Sequence, residues 1–435
     1  MKKHPYSPFL ALLTALLAWP LTGCVNDDEP SEPASDYGVY LTYHEDGTVH
    51  ILNSVSDGGV KISTTGQHVT IRSTADDITY FLSGSSTDGS FKIESSAHSQ
   101  NIVLDNLSLT NPDGGALNIQ SKKKTTIVLP EGTQSTLADG GADENDDSKA
   151  ALFSEGELLF KGKGELTVYG NRRHAICSDD YIELYSGKIR IPSALSDGLH
   201  AHDYIVVYDT DLDLTALSDG FDCDRGYIDI YNGNLRITAG SKGIATTSDS
   251  AELDRHIAIY GGTIQVQSHP DIEKDLTGYA LRSTGDLYID GGNLTLLPKK
   301  KAISAGKSVP ISEAPEGTDP SLADEDGEIY VPQNLYITGG TIRATGTVRP
   351  QLHHGTQPAL YYEQSENYPR NTPFALIDEA SGEELDRITS SEKVKRVFFS
   401  NPRLAAGSDY SFYGAGFPVC TFPAITTGFN FQQGF

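Results

Sequence analysis

A period of 22–23 residues runs through the middle of this chain and limits what it can fold into. Ser196-Asp197-Gly198, Ser218-Asp219-Gly220 and Ser241-Lys242-Gly243 close successive units, 22 and 23 residues apart. Each unit opens on a short alternating stretch, as in Ile176–Tyr185, Leu199–Tyr208, Phe221–Tyr231 and the segment from Ile244. A second stretch follows a glycine, as in Gly187-Lys188-Ile189, Gly233-Asn234-Leu235, Gly262-Thr263-Ile264, Gly292-Asn293-Leu294 and Gly340-Thr341-Ile342. The strands are too short and too far apart for hairpins. A unit of this length predicts one coil of a parallel β-helix, in which Ile, Leu and Val stack on the same positions of neighbouring coils. Glycine and aspartate at the corners are expected to take left-handed backbone.

The expected organisation has four parts. Residues 1–23 read as a lipoprotein signal peptide, with Lys2 and Lys3 before an apolar stretch too short to span a bilayer. Leu21-Thr22-Gly23-Cys24 resembles a bacterial lipobox, which makes Cys24 the lipidated residue. Residues 24–36 read as an acidic tether, similar to the export signal of surface-displayed lipoproteins, so the expected location is the outer membrane, facing outward. Residues 37–350 form the β-helix, interrupted at about 138–150, 268–278 and 307–333. Residues 351–435 form a small antiparallel β module, with strands at Pro373–Ile377, Val397–Ser400 and Tyr410–Tyr413, that covers the last coil. The fold class is all-β.

Composition narrows the function. The chain has 435 residues, 33 Lys plus Arg against 59 Asp plus Glu, and a net charge of −26, which repels nucleic acid and favours cations. Cys177, Cys223 and Cys420 are unclustered and odd in number, against a disulfide framework or a thiolate zinc site. There is no P-loop, dinucleotide fingerprint, H-E-x-x-H or G-x-S-x-G.

Asp197 and Asp219 fall at equivalent corners of neighbouring coils, with Asp180, Asp203, Asp222 and Asp224 in the same turn region. At the rung spacing of about 4.8 Å, two carboxylates repel by roughly 0.9 kcal/mol in water, more where water is excluded. The expectation is a Ca²⁺ site on these six residues, since calcium takes six to eight oxygens in flexible geometry. His200 and His202 with Asp222 and Asp224 raise the alternative of a transition metal. Tyr185, Tyr208, Tyr231 and Tyr260 end equivalent strands, and predict an outward column whose flat faces suit a sugar chain or serve only as a stabilising stack.

Ser83–Ser90, Leu152-Phe153-Ser154-Glu155-Gly156, the Ser-Asp-Gly closures, the Gly-Gly-Thr-Ile turns, Val397–Pro402 and Gly407–Tyr410 together resemble the bacterial carbohydrate-binding domain-containing family of secreted β-helix proteins, over roughly residues 37–415. The resemblance implies a right-handed parallel β-helix, bound Ca²⁺ and affinity for plant cell-wall polysaccharide. The fold is also that of calcium-dependent pectate lyases, but a fold does not carry activity with it. The expected function is therefore a surface lipoprotein that binds acidic or plant cell-wall polysaccharide without cleaving it. The alternatives are a calcium-dependent lyase, with Lys242 as the base, and a structural adhesin.

Overall fold

The structure, a computed structural model, describes residues 38–55, 58–141, 147–248, 255–269, 278–310, 328–349, 353–426 and 431–434. The signal segment, the tether with Cys24 and parts of the three insertions lie outside them. Among the described residues all regular structure is β.

Each central coil contributes three short strands, and each strand pairs in parallel with its counterpart one repeat later. His174–Ser178, Leu199–Ala201, Phe221–Cys223 and Lys242–Thr246 form one ladder. Ile182–Leu184, Ile205–Val207, Ile228–Ile230 and His256–Ile259 form the second. Lys188–Ala194, Thr210–Ala216, Gly233–Ala239 and Thr263–Ser268 form the third. The molecule is a parallel β-solenoid, as the period predicts.

The pairing register explains the core. Ile182 sits over Ile205 and Ile228, and Ile189 over Leu212 and Leu235, so side chains of like shape stack in columns along the axis. All six are at most 2% exposed. A coil alone cannot bury such a row; the next coil does.

The glycines divide into two sets, one of them unexpected. Gly187, Gly233, Gly262, Gly292 and Gly340, which open the third strand, have φ between 81° and 110°. The Ser-Asp-Gly closures do not: neither Asp197 and Asp219 nor Gly198 and Gly220 are among the residues with positive φ. Closure glycines are required by crowding instead. A Cβ on Gly220 would lie 2.4 Å from both Gly243 O and Ile237 Cγ2. The aspartates are there for their side chains.

Antiparallel strands cover both ends. Gly38–Tyr43 pairs antiparallel with Val49–Asn53, and Val60–Thr65 with Gln67–Ser73. At the other end Val394–Ser400 runs antiparallel to Thr341–Thr345, joining the solenoid sheet itself. Glu384–Thr389, Pro373–Asp378, Asp409–Gly414 and Phe417–Pro423 make a separate four-stranded antiparallel sheet. Its core holds Phe374, Leu376, Phe399 and Phe412.

Candidate functional site

The first ladder carries the charged residues singled out above. Its register places His174, Asp197, Asp219 and Lys242 in one column and Cys177, His200 and Asp222 in the next. The column is tied along its length. Asp219 N–H donates to Asp197 Oδ1 at 2.9 Å, and Lys242 N–H to Asp219 Oδ1 at 2.8 Å. Asp219 Oδ2 binds the Lys242 ammonium. Both carboxylates are buried, at 5% and 3% exposure.

Asp197 Oδ2 faces two imidazoles, His174 Nδ1 at 3.1 Å and His200 Nδ1 at 3.5 Å. The two rings stack 4.5 Å apart. His200 Nδ1 also lies 3.3 Å from Asp222 Oδ2, and its Nε2 lies 3.4 Å from Asp224 Oδ2. Burial by itself raises the Asp197 carboxyl, but the two histidines outweigh it and hold it well below the carboxylate range. Burial lowers His200, while Asp197, Asp222 and Asp224 overcome that and push it up to about 12. Asp224 is lowered, chiefly by His200.

Asp180 and Asp203 stack on adjacent coils, linked by Asp203 N–H to Asp180 O at 2.8 Å. Burial first, then the charges of Asp203 and Glu157, raise the Asp180 carboxyl. His202 turns to Asp203, 3.1 Å away.

The six aspartates therefore do not converge on one oxygen cage. Among the described residues the metal-competent groups are His174–Asp197–His200 and His200–Asp222–Asp224. Asp219 is taken by Lys242, and Asp180 and Asp203 stand apart. Two imidazoles at the centre do not fit calcium, which takes oxygens. His174 lies outside the expected set of ligands, although it stands 23 residues before Asp197, one period away. Lys242, the candidate base, spends its ammonium on a buried carboxylate.

The tyrosines form the expected column. Tyr185, Tyr208, Tyr231 and Tyr260 stack with centroids 4.5, 5.4 and 4.8 Å apart. Stacked neighbours cover much of one another's faces, so the column offers chiefly ring edges and hydroxyls, a change from the expected open faces. A second stack, Tyr181–Tyr204–Tyr227–His256, with spacings of 4.4, 5.0 and 5.0 Å, was not anticipated. Glu183 links the two, accepting from Tyr185 Oη at 3.0 Å and Tyr204 Oη at 3.2 Å.

Across the glycine turn, the third ladder bears a groove of about 270 Å³, lined by Lys188, Arg190, Asp211, Asp213, Asn234, Arg236, Thr263 and Gln265 over Ile189, Leu212 and Leu235. Its side chains brace one another between coils: Asn234 Nδ2 donates to Asp211 Oδ1 at 2.8 Å, and Arg190 Nε to Glu165 Oε1 at 2.6 Å. The groove spans four coils and so runs along the axis.

A solenoid with a polar groove along its axis belongs to the class of scaffolds with an extended surface. The chain is a member of the family described as carbohydrate-binding domain-containing protein, which matches residues 65–347. A carbohydrate-binding domain-containing protein of Acetivibrio thermocellus is 27% identical over 144 residues, which are 32% of this chain and 46% of that protein. The match thus spans under half of the relative's length. Among solved structures, the polysaccharide lyase-like protein from C. thermocellum (a gadolinium derivative) is similar at a TM-score of 0.44 and 20% identity, over 61% of this chain and 91% of that one.

Proposed function

We infer that this chain is a surface lipoprotein, anchored to the outer membrane through Cys24, whose right-handed β-helix binds polysaccharide without cleaving it. The observation that carries this reading is the axial groove from Lys188 to Gln265. Its hydrogen-bonding groups recur at the rung spacing of about 4.8 Å, close to the repeat of an extended sugar chain. Cross-coil pairing pre-orients them, which lowers the entropy cost of binding. The aliphatic stems of Lys188, Arg190 and Arg236 in the groove suit the C–H faces of sugar rings.

Cleavage by β-elimination needs a base able to take a proton. Lys242 is bound to Asp219 in the first ladder, whereas the groove lies on the third. The test is binding of the purified chain to immobilised polygalacturonate and to a neutral cell-wall glucan. Binding without unsaturated product is expected, weakened about tenfold in Arg236→Ala, as for the loss of about 1.4 kcal/mol. Unsaturated product would replace this reading with the lyase. Absence of all glycan binding would leave the adhesin.

A further inference from the structure

We propose that His174, Asp197 and His200 form a three-ligand binding site for a divalent first-row transition metal of the zinc class, which clamps two successive coils together. His174 stands on the first coil, and Asp197 and His200 on the second. The site is independent of the glycan groove.

The distances carry the assignment. Zinc bonds nitrogen and oxygen at about 2.0–2.2 Å in a tetrahedron, which sets its ligand atoms roughly 3.3–3.5 Å apart. The facing atoms here are 3.1 Å apart for His174 Nδ1 and Asp197 Oδ2 and 3.5 Å for His200 Nδ1 and Asp197 Oδ2, and the three ligand atoms lie within 4.8 Å of one another, with a fourth position left for water.

The hydrogen bonding of the cluster is incomplete. His200 Nδ1 is buried and makes no aligned hydrogen bond, although Asp197 and Asp222 oxygens lie 3.5 and 3.3 Å away. Buried polar atoms left in this state cost free energy that a ligand recovers. His174 Nδ1 lies 3.1 Å from Asp197 Oδ2, so a metal ion between them would replace one short contact by two ligand bonds.

The surroundings agree. Imidazole nitrogens with carboxylate oxygens suit zinc, cobalt or nickel, whereas calcium takes oxygen alone. Asp224 stands 3.4 Å from His200 Nε2, the nitrogen that remains when Nδ1 holds metal. A carboxylate in that place orients a metal-bound imidazole. His174 and Asp197 are 8% and 5% exposed, so bulk water competes poorly for the ion.

The test uses the full, tag-free chain after dialysis against chelator. Titration with Zn²⁺ by calorimetry is expected to show one equivalent bound, with a rise in melting temperature that Ca²⁺ does not produce. Co²⁺ is expected to give the visible absorption of a tetrahedral site. His200→Asn should abolish both signals, and Asp224→Asn should weaken Zn²⁺ by about 10- to 100-fold. Should His200→Asn fail to fold, Asp224→Asn and the unaltered chain decide the matter. No Zn²⁺ binding by the unaltered chain overturns the proposal, as does Zn²⁺ binding that Asp224→Asn and His200→Asn leave intact.

Discussion

Asp219 donates its main-chain N–H to Oδ1 of Asp197, one coil away, at 2.9 Å. The same bond recurs from Lys242 N–H to Asp219 Oδ1 at 2.8 Å. Each closure aspartate thus serves as an acceptor for the next coil, beside main-chain bonds between coils such as Gly198 N–H to Asp219 O at 3.0 Å. A carboxylate here is a structural connector first.

The Asp219–Lys242 pair is nearly shut off from water, with side chains 4% and 20% exposed. Removing one partner leaves the other charge buried. Asp219→Ala is expected to cost about 3–5 kcal/mol in urea denaturation. Asp219→Asn with Lys242→Met should recover much of this, because the amide oxygen still accepts the main-chain N–H and no charge is stranded. Equal losses in both variants would contradict the account.

Asp139 is 2% exposed and accepts Asn171 N–H at 2.5 Å. Burial raises its carboxyl from 3.8 to about 6, against the pull of that bond. A folded-state value above the unfolded one means stability is full below about pH 4 and is lost as pH climbs through about 6. Melting temperatures at pH 4.5 and 7 should therefore converge in Asp139→Asn relative to the parent. Parallel profiles would show that the carboxyl is not what titrates.

Ring stacking should register in stability. Tyr208 stacks on both Tyr185 and Tyr231 within the four-tyrosine column. At about 0.5–1.5 kcal/mol per ring pair, Tyr208→Leu should lose about 1–3 kcal/mol and Tyr208→Phe, which keeps the ring, much less. Denaturation midpoints for the two variants are the measurement, and an equal loss would speak against stacking as the source.

Gly220 has no room for a side chain. Gly220→Ala drives a Cβ to 2.4 Å from Gly243 O and Ile237 Cγ2, and a cost of about 1–3 kcal/mol is expected. Gly132→Ala is the comparison, with open space around the added carbon but φ of 81°. Its loss should be nearer 1 kcal/mol, from backbone strain alone. Thermal unfolding of both variants separates crowding from conformation.

The sequence by itself determined the solenoid. Its period, its inward Ile, Leu and Val, and its turn glycines are local signals, repeated until chance is excluded, and parallel stacking is the packing that buries every copy. For the same reason the tyrosine column and the meeting of Asp197 with Asp219 were legible: residues one period apart become neighbours. Only the tertiary structure decided what those neighbours do. His174 joins Asp197 and His200 because ring orientation and side-chain reach, which no spacing specifies, bring nitrogens from two coils to one carboxylate. It also decided that Lys242 is spent on Asp219 and that the tyrosine rings cover each other, since both depend on which way a side chain leans once its coil is packed between two others.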